Sequence, residues 1–486
     1  MFHNPKVRYI FLAALTMLVL VAPGFGQQSW QRYYGDTTHG REHDGFSVEQ
    51  TTDGGYVAAG EEDLSPALDY NIYLVKTDVN GDTLWTRTYG GSGDEGARAV
   101  CQTTDGGYVV VGQTNSWGAG GRDIYLVKTD VNGDTLWTRT YGGTGNDWGF
   151  SVEQTTDGGY IIAGEKNTNF AYLVKTDVNG DTLWTHTYGD GRGTAVHQTT
   201  DGGYLMAGVA WVGGRERAYL VKTDGDGDTL WTRTYVNDTL NWVYVTSMQL
   251  TSDGGCIMAA GLWPSESQNQ RFYLLKANSS GTIVWTRTYG DSSGKDEFNY
   301  VQKTTDGGYV VAGTIRPTPE GACSLYVFKT DASGDSLWAR IYGGMGISSG
   351  SAVEQTRDGG YIIGGMTIGE GYSYLYLVKT DASGQVAVSE RPPVVSQSSP
   401  VLSASPSVFH QNTVLSYCLP STATANLEIR DVAGRLVRTF KIKSPTIRSL
   451  AWNGTDEAGR EMPAGFYFCQ FKTAGALVSA KVLLVR

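Results

Sequence analysis

The sequence of 486 residues is poor in the residues that build metal sites, disulfide frameworks and basic surfaces. It has five cysteines and six histidines, and its 38 lysines and arginines are outnumbered by 49 acidic residues. The cysteines are scattered, odd in number and without CxxC spacing, so they indicate neither a disulfide framework nor a zinc site. The net charge of −11 argues against nucleic acid or an anionic membrane as partner, because both require basic surface.

Sequence motifs of common hydrolases are also missing. The chain has no HExxH, and no G-x-S-x-G lies between a strand and a helix. Acidic residues are numerous enough for a fold to bring a glycosidase pair together. A carbohydrate-active enzyme, either a glycoside hydrolase or a lyase, is therefore the alternative to a binding protein, and no catalytic residue, cofactor or metal is predicted.

Long apolar runs are absent except at the start of the chain. Lys6 and Arg8 precede an apolar run over residues 9–22, and the small residues Gly24 and Gly26 follow it. This layout predicts a secretory signal peptide over residues 1–26. No later stretch approaches the roughly 18 to 20 apolar residues of a spanning helix. We therefore expect an exported protein with no transmembrane segment in the mature chain.

An internal repeat dominates the rest of the sequence. Asp-Gly-Gly occurs seven times, at steps of 52, 52, 44, 52, 53 and 52 residues. A recurring period of this order indicates a solenoid or a propeller. The seven copies begin at Asp53, Asp105, Asp157, Asp201, Asp253, Asp306 and Asp358.

Each repeat predicts four short strands. Residues 151–189 contain the runs SVEQT, YIIAG, AYLVK and TLWTHTY, which are rich in the β-branched and aromatic residues that favour strands. Asp-Gly-Gly and Asn-Gly-Asp supply the positive-φ residues of tight hairpin turns. No segment has a helical period long enough to compete. The unit is therefore predicted to be a four-stranded antiparallel meander, the form of a propeller blade.

The seventh unit lacks its fourth strand, because Val388 stands where six earlier units have a tryptophan. The segment SWQRYYG, residues 29–35, carries Trp30 and resembles that missing strand. It is expected to pair with residues 374–380 and to close a seven-bladed β-propeller over residues 28–388, which removes exposed sheet edges. An open β-solenoid is the rival architecture. The equivalent tryptophans, whose role is packing between sheets, are Trp85, Trp137, Trp184, Trp231, Trp285 and Trp338.

The composition changes after the last repeat. Residues 389–405 are rich in proline and serine and are interpreted as a linker. Residues 406–486 alternate apolar and polar side chains, which predicts a small Ig-like β-sandwich. The turn DVAGR at 431–435 and the run WNGTDEAGREMPAGFYF at 452–468 resemble the C-terminal sorting domain of type IX secretion, itself similar to the Ig-like domain of flagellar hook-capping proteins.

That resemblance implies a route for the protein. The chain would pass through the periplasm, engage the type IX secretion machinery, and reach the extracellular space or the outer surface of a Gram-negative bacterium. An accessory Ig-like binding module is the alternative. The repeats themselves resemble those of secreted bacterial propeller proteins with the DGGYVVAG and LVKTDxNGDTLWTRTYGG consensus, a resemblance that implies a fold and no particular activity.

The repeated hairpin KTDVNGDTLW is oxygen-rich, like the start of a calcium-binding loop. Asp78, Asn80 and Asp82 are oxygen-rich, but Gly81 precedes the third acidic position and no glutamate follows at the EF-hand spacing. A hairpin turn with Asn-Gly at its tip explains these residues without an ion.

The predicted site lies on the variable loops, which a meander places at one end of the blades. Five tryptophans outside the framework fall in these loops, with carboxylates nearby. Flat rings and hydroxyl acceptors suit a glycan or a protein surface. We therefore expect a secreted or cell-surface binding scaffold, the alternative for each tryptophan being packing of its own loop. The predicted residues are Trp117, Trp148, Trp211, Trp242, Trp263, Glu95, Asp147 and Glu297.

Overall fold

The structure is a computed structural model of the chain. The predicted signal peptide and residues 387–400 lie outside the part that the structure describes. The described residues are 29–35, 43–63, 70–235, 240–264, 270–290, 297–316, 323–343, 347–369, 372–386, 401–405, 408–409, 413–418, 425–432, 434–442, 448–472 and 477–485.

The repeat region consists of short strands, as the sequence predicts. Their bounds are β1 (Trp30–Tyr34), β2 (His43–Gln50), β3 (Tyr56–Asp63), β4 (Tyr70–Thr77), β5 (Thr83–Tyr89), β6 (Glu95–Gln102), β7 (Tyr108–Thr114), β8 (Asp123–Thr129), β9 (Thr135–Tyr141), β10 (Trp148–Gln154), β11 (Tyr160–Lys166), β12 (Phe170–Thr176), β13 (Thr182–Gln198), β14 (Tyr204–Val212), β15 (Arg215–Thr223), β16 (Thr229–Tyr235), β17 (Leu240–Leu250), β18 (Cys256–Pro264), β19 (Arg271–Ala277), β20 (Ile283–Tyr289), β21 (Glu297–Lys303), β22 (Tyr309–Ile315), β23 (Ser324–Thr330), β24 (Ser336–Tyr342), β25 (Ser348–Gln355), β26 (Tyr361–Gly369) and β27 (Tyr372–Thr380).

These strands form repeated antiparallel meanders of the propeller-blade type. The sheets β2–β5, β6–β9, β17–β20 and β21–β24 each have four strands in chain order. β13 is long because it serves as the last strand of one unit and the first of the next, so β10–β16 form one seven-stranded sheet. None of the described residues lies in a helix long and apolar enough to cross a membrane.

The first strand that the structure describes completes the last sheet of the repeat region. β1 is hydrogen-bonded to β27 in a sheet of order β1-β27-β26-β25. Trp30 is in register with Lys379, and Tyr34 with Leu375. The N-terminal strand therefore occupies the fourth-strand position of the seventh unit, opposite the segment that the sequence predicts as its partner.

The second and third strands of each unit are the buried layer. β7 and β8 are buried at every residue, whereas β9 is exposed or half-buried at every residue except Tyr141. A strand buried on both faces has sheet neighbours above and below, so its sequence is almost continuously apolar. The core therefore lies between neighbouring sheets.

The fourth-strand tryptophans pack between neighbouring units. Each meets the tyrosine after the Asp-Gly-Gly of the next unit edge-on, with ring centroids 5.5–6.0 Å apart. In the fifth unit Cys256 replaces that tyrosine, and Trp231 packs on the cluster that contains it. The pairs are Trp30–Tyr56, Trp85–Tyr108, Trp137–Tyr160, Trp184–Tyr204, Trp285–Tyr309 and Trp338–Tyr361.

A tyrosine hydroxyl on each fourth strand joins the same neighbours. It donates to the carbonyl of the glycine in the next unit's Asn-Gly-Asp-type turn, at 2.5–2.7 Å. That glycine also makes room for the tryptophan: Gly81 has a φ of +76°, and a Cβ there would lie 2.8 Å from the Trp30 ring. The bonded pairs are Tyr34–Gly81, Tyr89–Gly133, Tyr141–Gly180, Tyr188–Gly227, Tyr235–Gly281, Tyr289–Gly334 and Tyr342–Gly384.

The aspartate of Asp-Gly-Gly has a structural role. Asp53 accepts hydrogen bonds from the Thr51 hydroxyl and the Gly55 amide, and the buried Lys76 ammonium lies 2.8 Å from it. A buried lysine requires such a partner, because an uncompensated charge in the core is costly. The same pair recurs as Lys128–Asp105, Lys175–Asp157, Lys222–Asp201, Lys276–Asp253, Lys329–Asp306 and Lys379–Asp358.

The C-terminal region is a two-sheet sandwich. Its sheets have the orders β28-β30-β33 and β29-β35-β34-β31-β32. Trp452 from the first sheet is fully buried and meets Tyr467 of the second edge-on at 5.0 Å. The strands are β28 (Val401–Ser405), β29 (Val408–Phe409), β30 (Thr413–Cys418), β31 (Ala425–Asp431), β32 (Leu436–Ile442), β33 (Arg448–Trp452), β34 (Gly465–Lys472) and β35 (Leu477–Leu484).

The sandwich includes residues that the sequence assigns to the linker. β28 pairs with β30 along its whole length, from Val401 opposite Cys418 to Ser405 opposite Val414. Residues 401–405 of the predicted linker are therefore paired with a strand of the sandwich. The serine-rich composition of this segment did not indicate a strand, although its backbone groups pair within the sandwich.

Candidate functional site

The loops of varying length lie at one end of the sheets. The Asp-Gly-Gly and Asn-Gly-Asp turns join the first to the second strand and the third to the fourth, so in a meander both lie at the opposite end. The end that carries the varying loops is called the variable face here. Rigid sheets with varying loops at one end are a common arrangement for recognition.

Trp211 and Trp242 form an accessible aromatic pair on the variable face. Trp211, near the end of β14, is 44% exposed, and Trp242, near the start of β17, is half-buried. Their ring centroids are 6.1 Å apart and the planes are nearly perpendicular, at 83°. The pair spans two neighbouring units, so it presents two differently oriented ring faces at one place.

Trp117 and Trp148 are engaged by their own surroundings to different degrees. Trp117, between β7 and β8, is 45% exposed and leans on Tyr125 with centroids 5.3 Å apart. Trp148 is half-buried beneath the Arg122 guanidinium, 4.7 Å from the ring centroid, and Arg122 also lies 3.6 Å from Asp94. Trp148 therefore packs its own loops, whereas Trp117 keeps an open face.

Glu95 and Asp147 hold their own loops together. Both are fully buried. Glu95 accepts from the Gly91 amide at 2.7 Å and the Thr114 hydroxyl at 2.6 Å, and Asp147 accepts from the amides of Gly143 and Asn167 at 2.8 and 2.9 Å. The oxygens of these carboxylates therefore accept hydrogen bonds within their own loops. The sequence interpretation placed them instead as acceptors on the surface.

The side chains of Trp263 and Glu297 lie outside what the structure describes. The backbone of Trp263 is opposite Trp242 in the β17–β18 pair, and Glu297 is the first residue of β21. The sequence prediction for these two residues stays a prediction.

A series of β-bulges, found in the first strand of each unit, directs side chains into a cavity between these strands. In every unit the register shifts at one residue of the first strand, for example between Gly45 and Ser47. A bulge re-aims the extra residue, here Phe46, away from the ladder. Such residues line a cavity of about 330 Å³ toward the variable face, called the inner cavity here. The bulge residues on its wall are Phe46, Arg98, Phe150, Thr194, Thr246 and Ser351.

Two arginines in this region are stacked on rings. The Arg98 guanidinium lies 4.8 Å over Phe46 and 3.7 Å from the Glu61 carboxylate. The Arg192 guanidinium lies 4.4 Å over Tyr244 and donates to Glu216 at 2.8 Å. Each arginine is thus held by a ring and a carboxylate.

The inner cavity continues toward the turn end, where a polar layer joins consecutive units. Glu49 accepts from the Gln102 amide at 2.8 Å, Glu153 from Gln198 at 3.1 Å, and Glu354 from Gln50 at 2.6 Å. Gln302 makes the same bond with the Gln355 amide. Cys101 and His197 occupy the equivalent positions of two other units and also line the cavity.

Burial changes the acidity of this layer. It raises the pKa of Glu49 to about 7, against the bond from the Gln102 amide. It raises the pKa of Glu354 to about 7 as well, and the neighbouring Glu49 adds to the effect. Burial lowers the pKa of His197, but the Glu153 carboxylate 2.6 Å from Nδ1 raises it more, so the net shift is upward.

We predict that Glu354→Gln and Glu49→Gln stabilise the protein at pH 8. A carboxyl whose folded pKa lies above its ordinary value keeps its proton longer when folded, so stability falls as pH rises from about 4.5 to about 7. Each glutamine should add roughly 1–3 kcal/mol to the unfolding free energy at pH 8 and little at pH 5. Urea denaturation at pH 5 and at pH 8 measures these unfolding free energies.

Gln302 provides the matched control for that prediction. It occupies the equivalent position and accepts the same inter-unit bond without a charge. Gln302→Glu should therefore destabilise the protein at pH 8 and only slightly at pH 5. Equal pH profiles for the wild type and all three variants would contradict the account.

The repeated Asn-Gly-Asp turn uses its oxygens internally. Asp78 Oδ1 accepts from the Asn80 amide at 2.9 Å and the Asp82 amide at 2.8 Å. Asp130 and Asp177 do the same in their own turns. Within the described residues, no group of three or more histidine, cysteine, aspartate or glutamate side chains is placed to hold a metal ion.

Sequence reasoning did not find the inner cavity. The bulge residues differ from unit to unit, and a bulge leaves no fixed residue type at its position. The available signal was the small residue just before the bulge, such as Gly45, Ala97, Gly149 and Gly193. The polar layer was hidden inside the repeated SVEQ segment, which reads as an ordinary strand.

Comparisons with known proteins concern the fold. Residues 405–476 match the family model of the FlgD Ig-like domain. No curated protein matches the chain. Among solved structures, the WD40 domain of Neurospora crassa Pan2 is 8% identical, with 74% of this chain and 98% of that chain covered and a TM-score of 0.46.

Two further solved structures are similar at the same level. Sqt1 from Chaetomium thermophilum is 12% identical over 68% of this chain and 84% of that chain, with a TM-score of 0.42. A catalytically inactive virginiamycin B lyase from Staphylococcus aureus with quinupristin is 10% identical over 72% and 99%, with a TM-score of 0.44. None of these likenesses bears on function.

Proposed function

We propose that the protein is a secreted or cell-surface binding scaffold that recognises a glycan through the variable face of a closed seven-bladed propeller. The observation that carries the proposal is the accessible pair Trp211 and Trp242. Sugar rings stack on flat aromatic faces, and two rings at different angles suit successive sugar residues of a chain. A protein ligand is the other partner that such a pair would anchor.

Ring closure is supported by contacts between the first and last units. Trp30 and Tyr34 share a buried cluster with Leu375 of the last unit and with Tyr56 of the first. Glu354 accepts from Gln50, which lies 304 positions earlier in the chain. These contacts repeat those between consecutive units elsewhere, so the ring would have no exposed sheet edge.

A glycan array probed with the purified full-length chain tests the proposal. Binding should be concentrated on a few related glycans and should quench or shift the fluorescence of exposed tryptophan. Absence of glycan binding, together with capture of a defined protein ligand by the same face, would replace the glycan by a protein partner. Absence of both would remove the variable face as a binding surface.

A carbohydrate-active enzyme is the second candidate, and one observation favours it. Glu49 and Glu354 line the inner cavity, and their pKa values of about 7 suit proton transfer near neutrality. Product analysis on the glycans selected by the array would detect hydrolysis or elimination. Turnover abolished by Glu49→Gln or Glu354→Gln would move the protein into the enzyme class.

We further propose that the C-terminal sandwich directs export by the type IX route, after a signal peptide over residues 1–26. The match of residues 405–476 to the FlgD Ig-like domain supports the fold on which the sorting resemblance rests. The motifs DVAGR and WNGTDEAGREMPAGFYF carry that resemblance.

A stop codon that removes residues 400–486 is expected to leave the repeat region folded but confined to the periplasm. The sandwich has its own buried core, which includes Leu415, Ile429 and Trp452, so its loss should spare the repeats. Immunodetection on intact and fractionated cells measures the location. Surface display of the truncated chain would exclude the sorting role and favour an accessory module.

A further inference from the structure

The part of the inner cavity next to the variable face is called the outer chamber here. Its volume is about 330 Å³, which is the size of a small-ligand site. Among the described residues on its wall, Arg98 is the only charged one. The rest of that wall consists of five serine and threonine side chains and of three rings, those of Phe46, Phe150 and Tyr244.

Arg98 has hydrogen-bond donors to spare. Its guanidinium lies 4.8 Å over the Phe46 ring and 3.7 Å from the Glu61 carboxylate, which is too long for a hydrogen bond. The side chain is only 29% exposed, yet it donates to no residue that the structure describes. Burial raises the pKa of Glu61 against the attraction of Arg98, so this pair compensates the arginine only in part. The N–H groups of Arg98 therefore suit an acceptor in the chamber.

The hydroxyl groups of the wall can also bond a ligand. Those of Thr194 and Thr246 donate to backbone carbonyls at 3.3 and 3.4 Å, and each keeps lone pairs for another donor. Four other hydroxyls on the wall have no hydrogen-bond partner among the described residues. These four belong to Tyr244, Thr314, Ser349 and Ser351.

This combination of groups suits a sugar that carries a carboxylate. A sugar ring presents C–H groups to an aromatic face and hydroxyls to polar side chains. Phe150 contacts no other ring and no cation among the described residues, so it is the ring available for stacking. A guanidinium only donates, and its planar fork matches a carboxylate. The described wall has no carboxylate of its own, so an anionic ligand group would meet Arg98 without a competing charge on the wall.

We propose that the outer chamber binds one hexuronic acid residue of a glycan, with its carboxylate on Arg98 and its ring against Phe150. Hydroxyls of the wall, among them those of Thr314 and Ser351, bond the hydroxyls of the sugar. The inference rests on the proposed function, because it takes the ligand to be a glycan. It adds the class of sugar, and it involves neither Trp211 nor Trp242.

Calorimetric titration of the full chain with methyl glucuronide and methyl galacturonide tests the chamber. One saturable site is expected for at least one of them. The matching neutral glycosides, which replace only the carboxylate, should bind about tenfold more weakly or worse. Sodium acetate should show no saturable binding, because it lacks the ring that contacts Phe150.

Three substitutions on the chamber have different expected effects on the affinity for the uronide. Arg98→Gln should weaken it about tenfold or more and remove its advantage over the neutral glycoside. Glu61→Gln should strengthen it, because the carboxylate 3.7 Å from Arg98 no longer competes for the guanidinium. Thr314→Val keeps the shape of the wall and should weaken it about two- to tenfold.

Arg87→Gln is the matched control. Arg87 also lies over a ring, that of Trp85, and pairs with Asp134 at 3.2 Å, but it does not line the chamber. The affinity for the uronide should therefore be unchanged in this variant. Equal affinities for uronide and neutral glycoside, or for wild type and Arg98→Gln, would overturn the proposal.

Failure of the chamber and failure of the proposed function give different results. Uronide binding that persists in the double variant Trp211→Ala/Trp242→Ala would support the chamber as a separate site. Array binding confined to neutral glycans and unaffected by Arg98→Gln would overturn the chamber alone. Absence of binding to every glycan and to both uronides would overturn the chamber together with the proposed glycan function.

Discussion

Deletion of residues 28–36 is expected to cost more than about 5 kcal/mol of unfolding free energy, since a buried tryptophan alone is worth about 3–5 kcal/mol. Trp30 is 4% exposed, and its indole N–H donates to the Val79 carbonyl at 3.1 Å. Tyr34 is 6% exposed and donates to the Gly81 carbonyl at 2.7 Å. The deletion also strips β27 of its partner strand, so we expect self-association through the bare edge.

Two substitutions give this prediction its controls. Trp30→Ala should reproduce most of the loss, about 3–5 kcal/mol, with the chain otherwise intact. Trp117→Ala removes the same side chain from a 45% exposed position and should change stability by about 0.5 kcal/mol or less. Thermal melting measures the change in stability, and light scattering measures self-association. A deletion variant that melts like the wild type and stays monomeric would exclude ring closure by β1.

The double variant Trp211→Ala/Trp242→Ala is expected to weaken binding of the best glycan about 100-fold or more. Truncation of a ring that anchors a ligand costs about 2 kcal/mol or more, and each 1.4 kcal/mol is a factor of ten in affinity. Trp211 is 44% exposed, so the fold should tolerate its loss. Titration calorimetry measures the affinity, and circular dichroism checks the fold.

Leu136→Ala is the matched control for that double variant. Leu136 is 57% exposed on β9, in the outer layer of a different unit. Its loss removes a comparable exposed apolar side chain away from the proposed surface, so affinity should be unchanged. Equal affinities for the wild type and the double variant would show that the aromatic pair packs its own loops only.

The pattern of tryptophans in the repeats predicted the pairing of β1 with β27. A tryptophan was missing from the seventh unit and present in SWQRYYG, and the structure places Trp30 opposite Lys379 in that unit. The repeat also predicted the hairpins, because Gly54 and Gly81 adopt the positive φ angles that such turns require.

Contacts that depend on register could not be predicted from the repeat. The sequence explained the glycines of Asp-Gly-Gly, but the link from Asp53 to Lys76 crosses 23 positions and appears only when the strands are aligned. The bulges are equally hidden, since one extra residue re-aims Phe46 without altering the apolar pattern around it.

The burial of Glu95 and Asp147 could not be predicted for a related reason. Glu95 and Asp147 follow glycine-rich loops, where acidic residues ordinarily face water. The loops fold back and surround them with their own amides, such as those of Gly91 and Gly143. Backbone amides that need acceptors decide the orientation of such side chains, and the sequence does not show where a loop returns.

A crystal structure of the full chain with the tightest glycan from the array would locate the binding surface. The account predicts that sugar rings stack on Trp211 and Trp242 at the variable face. A glycan bound at the end of the Asp-Gly-Gly turns, or on the C-terminal sandwich, would contradict it.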